Sequence, residues 1–203
     1  MTEPSDATPQ KQRATRVAVF GGSFNPPHVA HQLVALYVLE TQQVDELWFV
    51  PTFAHPFGKP LVDYEHRIAM CELAAAALGP RARVSRAEAE LAARPGFVAS
   101  HTLDLVDRVV AQGLAPRLVI GSDIFGEAIH WHRWSDVVAR APLIVVGRAG
   151  HPLPAGSVAT EVTMPEISAT HVRQLLAAGG SGAAGLVPRE VLRYIAQHHL
   201  YQP

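Results

Sequence analysis

One cysteine among 203 residues excludes an internal disulfide framework, and Cys71 stands alone within an apolar helical pattern. Charge is also scarce. Charged residues make up 17% of the chain and leave a formal net charge of -1, so no global field draws the protein to nucleic acid or to an anionic membrane. Any anion must therefore be held by a local site. No apolar run reaches the roughly 18 residues of a membrane span, and the polar N-terminus has no apolar core of a secretion signal. A soluble, cytoplasmic protein is the expectation, with no nucleic-acid or membrane partner. Gly-Lys-Ser/Thr of a phosphate-binding Walker loop is missing, as is the Gly-x-Gly-x-x-Gly of a dinucleotide fold. No Ser-His-Asp set, catalytic cysteine or paired carboxylates stand out.

What is present is a large apolar fraction, 48%, in a chain long enough for a substantial core. Residues 1–14, rich in Thr, Pro, Ser, Asp and Gln, read as a flexible tail, and 15–203 as a single domain. Strand-like runs at Val17–Phe20, Leu47–Val50, Ala82–Ser85, Leu118–Ile120, Leu143–Val146 and Val158–Val162 alternate with helical patterns. Those patterns are His28–Gln42, Tyr64–Leu78, His101–Gln112, Ile124–Ala139, Ala169–Ala178 and Pro188–His198. This order predicts an α/β protein, a Rossmann-like open parallel sheet with helices on both faces. In such sheets ligands bind beyond the carboxyl ends of the strands where strand order reverses, so the loops after Phe20 and Ile120 are the places to look. The stretch Gly179–Gly185 reads as a flexible connector between the last two helices.

Gly21-Gly22-Ser23-Phe24-Asn25-Pro26-Pro27-His28-Val29-Ala30-His31 follows the first apolar run. It reads as a strand, a glycine turn and a helix start. The glycines allow backbone amides to approach a ligand closely, Asn25 can cap a helix, and its first turn tolerates Pro26 and Pro27. His28 and His31, three apart, project from one face of that turn. Free amides, the positive end of the helix dipole and two imidazoles then converge, which suits a phosphate chain. Two histidines could also be half of a zinc site, but zinc needs a third or fourth ligand, and none accompanies them. A second helix start, Ile167-Ser168-Ala169-Thr170-His171-Val172-Arg173, offers a capping Ser168 and places Thr170 beside Arg173, so a hydroxyl and a guanidinium fork can meet one anion. Read alone, an ordinary capped helix with a solvated Arg173 outweighs that reading.

The first segment resembles the signature of the nucleotidyltransferase superfamily, Gly-Gly-Thr/Ser-Phe-Asp-Pro-x-His-x-Gly-His, with Asn25 for Asp and Ala30 for the last Gly. The second resembles its late Ile-Ser-x-Thr-x-Arg element, with Ala169 for a second Ser. Further matches are to the nicotinate-nucleotide adenylyltransferase branch. Gly121-Ser122-Asp123 resembles the strand-end Gly-x-Asp, where the Asp meets a ribose, although a helix cap before Ile124 is an equal reading. Trp131-His132-Arg133-Trp134 resembles the Trp-His-x-Trp element, which makes Trp131 the stacking candidate for the pyridine ring and leaves Trp134 to the core. His101-Thr102-Leu103-Asp104 resembles Tyr-Thr-x-Asp, and Leu143–Gly150 the strand that ends in Arg-x-Gly, placing Arg148 near the adenine. The family's Pro-x-x-x-Pro-Pro-His-Lys loop is altered here to Pro51–Lys59, in which His55 and Lys59 are either anion contacts or exposed loop residues.

The resemblance covers about residues 16–200. It implies transfer of the adenylyl group of ATP to nicotinate mononucleotide, giving nicotinate adenine dinucleotide and pyrophosphate in NAD biosynthesis. His28, His31 and Arg173 would be catalytic. Gly21, Gly22, Ser23, Phe24, Gly121, Asp123, Arg148, Ile167, Ser168 and Thr170 would bind ATP, and His55, Lys59, Thr102 and Trp131 the acceptor. Mg2+ would be held mainly through ATP phosphates, with no protein metal site. The alternatives are nicotinamide mononucleotide or another phosphate monoester as acceptor, and a nucleotide-binding module without turnover.

Overall fold

The computed structural model describes residues 13–54, 60–97, 101–148, 151 and 159–202. Strands β1 (Arg16–Gly22), β2 (Glu46–Pro51), β3 (Ala82–Val84), β4 (Ala115–Gly121), β5 (Leu143–Arg148) and β6 (Ala159–Met164) form one sheet in the order β3-β2-β1-β4-β5-β6. Every pairing is parallel. Helices α1 (Val29–Thr41), α2 (Tyr64–Ala76), α3 (Ala87–Ala92), α4 (Thr102–Ala111), α5 (Ser122–Ala128), α6 (Trp134–Arg140), α7 (Ala169–Ala177) and α8 (Arg189–Gln197) complete the expected α/β architecture.

Alternate residues of β1 serve both faces. Ala18 joins the core under α1 and α2 with Val34, Ala35, Val38 and Cys71, whereas Val17 and Val19 join the core under α3, α4 and α6 with Leu91, Val106, Val109 and Val137. A strand buried on both sides reads as a continuous apolar run. A third cluster packs Met70 and Ala74 of α2 against Val172 and Leu176 of α7 and Val191 and Ile195 of α8. The chain passes from β1 to β2 on one side and returns to β4 on the other, so the carboxyl ends of β1 and β4 flank the point where strand order reverses. No helix among the described residues is long and apolar enough to cross a membrane.

Three expectations change. The Ile124–Ala139 pattern is two helices, α5 and α6, because Arg133 adopts a left-handed conformation with φ 51°. Phe125, Trp131, Trp134 and Val137 all still meet the second core, and this apolar spacing hides the break. The Gly179–Gly185 connector is packed rather than flexible. It forms a 3-10 turn over Ser181–Ala183, buries Ala183 completely and holds Gly182 where an added Cβ would press on Leu175 Cδ2 at 2.9 Å. Helix α3 was not expected; its cap position falls to Arg86, which makes no side-chain cap bond, so no capping signature marks its start. Ser85 Oγ accepts from the Ala87 amide at 3.3 Å.

Candidate active site

The turn after β1 is built around two rings. His28 and His31 stack with centroids 3.7 Å apart and planes 25° from parallel. The His28 amide donates to His31 Nδ1 at 3.1 Å, so the neutral His31 ring carries its proton on Nε2. Phe24, with φ 44°, is buried and turns its edge to Phe49 at 5.5 Å and to His31 at 4.9 Å. Its ring is thus the floor on which His31 rests. Gly22 leaves room for that ring, since a Cβ there would meet Phe24 Cζ at 3.2 Å.

Burial and the nearby Arg148 charge push the His28 pKa from 6.5 down to about 4. His31 is lowered well below its ordinary value by burial first, then by His28 and Arg148. Both rings are neutral donors and acceptors at neutral pH. The unfolded chain binds a proton at His28 that the folded chain refuses, so stability is full above about pH 6.5 and falls as pH drops toward 4. The loss from His28 is on the order of 3 kcal/mol. Denaturant melts of His28→Gln across this window should show a shallower decline than the parent, and an unchanged slope would overturn the assignment.

Asn25 does not cap α1, and Pro26 and Pro27 precede the helix rather than form its first turn. The cap position belongs to His28. Asn25 Oδ1 is occupied instead by the Val62 amide at 3.3 Å and the Tyr201 hydroxyl at 2.8 Å. Nor are the first amides of α1 all free: Val29 N donates to Leu186 O at 2.8 Å and His31 N to His28 O at 2.9 Å. The positive end of the helix is therefore a smaller contribution than the sequence suggests, and the side chains carry more of any anion binding.

Charged groups come from three other strand or helix ends. Arg148, at the end of β5, pairs through Nε with Asp123 Oδ1 at 3.4 Å and is near enough to depress both imidazoles. Ser122 ties the two strand ends together: its Oγ accepts from the Arg148 amide at 2.9 Å and donates to His151 O at 3.3 Å. A Cβ at Gly121 would crowd the Asp123 carboxylate and force that side chain to shift. Asp123 is in the first turn of α5, whose cap is Gly121, so the helix-cap reading does not hold. On α7, Ser168 caps as expected, accepting from the His171 amide at 3.2 Å. Arg173 Nη1 donates to Asn25 O at 2.9 Å and Nη2 to Thr170 Oγ1 at 3.2 Å. The two sequence motifs thus meet. Ser168 and Thr170 are exposed and Ile167 and Ser23 half-buried around this junction.

Arg67 was not anticipated. It is 1% exposed and holds two loops at once: Nη1 donates to Thr52 O at 2.6 Å and Ser23 O at 3.1 Å, and Nε to Val62 O at 2.9 Å. Its guanidinium also lies 5.3 Å from the Tyr64 ring centroid. The available sign was an arginine within the apolar stripe of Tyr64, Ile68, Cys71 and Ala75 on α2.

Thr102 begins α4, and half-buried Trp131 lies in the turn between α5 and α6, edge-on to Trp134 at 5.8 Å. The rings of His101 and His132, 4.7 Å apart, bring these two segments side by side. Trp131 also packs against the second core and stays half-buried. His55 and Lys59 lie outside the described residues. Among the described residues, no three His, Cys, Asp or Glu side chains are grouped to hold a metal ion.

A doubly wound sheet that gathers imidazoles, guanidiniums and hydroxyls at its carboxyl edge defines a nucleotide-handling protein of the nucleotidyltransferase type. Residues 19–175 match the model of the cytidylyltransferase-like family. A protein of Anaeromyxobacter dehalogenans named as a probable nicotinate-nucleotide adenylyltransferase is 46% identical over 188 residues, 92% of this chain and 96% of the relative. One of Myxococcus xanthus with the same name is 39% identical over 190 residues, 93% and 95% of the two chains. The structure of Plasmodium falciparum nicotinic acid mononucleotide adenylyltransferase complexed with NaAD superposes with a TM-score of 0.75 at 16% identity, covering 92% of this chain and 97% of that one. The chain belongs to the cytidylyltransferase-like family and, within it, to the nicotinate-nucleotide adenylyltransferases.

Proposed function

We propose that this protein transfers the adenylyl group of ATP to nicotinate mononucleotide, releasing pyrophosphate and forming nicotinate adenine dinucleotide for NAD biosynthesis. The observation that carries the reading is the stacked His28–His31 pair, flanked by Arg148 and Arg173, in a chain whose relatives bear that name. The acceptor's 5'-phosphate, with a second pKa of about 6, is mostly dianionic at neutral pH and needs no general base. It attacks the α-phosphorus in line, a new phosphorus–oxygen bond forms, and the bond to the β-phosphate oxygen breaks as pyrophosphate leaves.

The protein's part is alignment and charge stabilisation. His31 offers its Nε2 proton to a phosphate oxygen, and His28 acts beside it. Arg173, held through Nη1 by Asn25 O, presents its remaining N–H groups to the phosphates, with the Ser168 and Thr170 hydroxyls and the Gly21-Gly22-Ser23 backbone around them. Asp123 and Gly121 meet the ribose, Arg148 the adenine side, and Phe24 and Ile167 shape the pocket. The imidazole and guanidinium N–H groups suit phosphate oxygens rather than Mg2+, so the ion would be carried by the triphosphate and water and would supply screening of negative charge. Thr102 and Trp131 receive the pyridine ring, and His55 and Lys59 would add contacts to the acceptor. We propose a cytoplasmic reaction without a nucleic-acid or membrane partner.

Pyrophosphate release with ATP and either mononucleotide tests the reading. A carboxylate held by charge-assisted hydrogen bonds gains more than a neutral amide, so kcat/KM for nicotinate mononucleotide should exceed that for nicotinamide mononucleotide by about tenfold or more. The amide is nearly isosteric, which keeps the preference short of exclusion. Equal values would make this a dual-specificity enzyme, and no release with either would overturn the assignment.

A further inference from the structure

The last residues of the chain reach back to the loop that carries the histidines. Beyond α8, Leu200 N closes on Ile195 O at 3.0 Å, and His199 and Tyr201 adopt left-handed conformations with φ 52° and 62°. Side chains favour that region of backbone space weakly. Here it delivers the Tyr201 hydroxyl to Asn25 Oδ1 at 2.8 Å. Asn25 is 3% exposed and is a junction. Its side-chain oxygen also accepts from Val62 N at 3.3 Å, and its backbone oxygen accepts from Arg173 Nη1 at 2.9 Å. The same C-terminal half holds the loop at a second point, where Leu186 O receives the Val29 amide.

We infer that Tyr201 is a positioning residue for the transfer reaction: through Asn25 it sets the loop between β1 and α1, and with it the aim of the His28–His31 pair and the Arg173 fork. The inference rests on the adenylyl-transfer reading above. Tyr201 acts three residues away from His28, on the residue whose carbonyl holds Arg173. Without the hydroxyl, Asn25 Oδ1 keeps only the longer bond to Val62 N, and the loop can shift by fractions of an ångström. Alignment of reacting groups is sensitive to displacements of that size. The aromatic ring has a separate task, since it packs against the third core cluster. Tyr201→Phe keeps the ring and deletes the hydrogen bond alone, which separates the two roles.

The test is a double-mutant cycle between Tyr201→Phe and Asn25→Ala in the full-length protein, read by pyrophosphate release and by calorimetric binding of ATP. Loss of one neutral hydrogen bond to a buried acceptor should lower kcat about five- to tenfold. The KM for the mononucleotide should stay within about twofold, because the bond acts on the triphosphate side. In the Asn25→Ala background, adding Tyr201→Phe should change kcat by less than about twofold, since the mediator is already gone. Asn25→Asp retains the acceptor oxygen, and there the sensitivity to Tyr201→Phe should return. Additive losses, or a Tyr201→Phe enzyme with parental kcat, would overturn the inference. If the parent binds ATP yet releases no pyrophosphate, the adenylyl-transfer reading fails on its own, and the same cycle on ATP affinity decides the role of Tyr201.

Discussion

His31→Ala is expected to lower kcat by about 10² to 10³, the range seen when one preorganised donor to a developing oxyanion is removed. The structure explains why this residue should matter so much. Its Nδ1 is committed to the His28 amide, so the proton of the neutral ring is fixed on Nε2 and needs no rearrangement before it meets a phosphate oxygen. The ring cannot swing away. Phe20 and Phe24 flank it at 5.9 and 4.9 Å, and His28 stacks on it. Removal also leaves the His28 amide without its acceptor, a cost of about 1 kcal/mol, or some 2 to 4 °C of melting temperature in a chain of this size. Activity measured well below the melting temperature separates the two effects. A folded His31→Ala protein with parental turnover would remove His31 from the catalytic set.

How far the sequence could be read depends on where each residue's partners lie. The β1–α1 and α7 motifs were legible because their chemistry is local: a strand end, a glycine turn, histidines three apart, and a serine that caps its own helix. The parallel sheet followed from alternation, and the observed strand ends differ from the expected ones by no more than three residues. Asn25 was misread for the opposite reason. Its side chain could have served the adjacent helix, but donors 37 and 176 residues along the chain occupy it, and no local pattern announces them. The break at Arg133 was hidden because two short helices can keep one apolar face when the turn between them preserves the spacing. Trp131 and Thr102 were found as segments, whereas their juxtaposition through His101 and His132 is a product of packing between α4 and the α5–α6 turn.

Arg67 shows what a local pattern conceals and what it costs to disturb. A guanidinium at 1% exposure is a heavy desolvation burden, and burial is the first cause of its lowered pKa. It is retained because three carbonyls from separate segments, Ser23 after β1, Thr52 after β2 and Val62 before α2, face one point within 3.1 Å. No single backbone donor could serve all three. Arg67→Met keeps much of the volume but leaves those half-buried carbonyls without their donor, and the expected loss is about 3 to 5 kcal/mol. For a domain of this length that corresponds to a fall of roughly 10 °C in melting temperature. The Ser23 bond also makes the effect functional, since Ser23 precedes the histidine turn and loses its brace to the neighbouring strand end. Arg67→Lys should recover part of the stability, because an ammonium still donates, but little of the turnover, because it lacks the fork that spans two loops. A melting temperature for Arg67→Met within about 2 °C of the parent would mean that water or a shifted backbone satisfies the three carbonyls, and that the buried arginine is not what holds the two strand-end loops together.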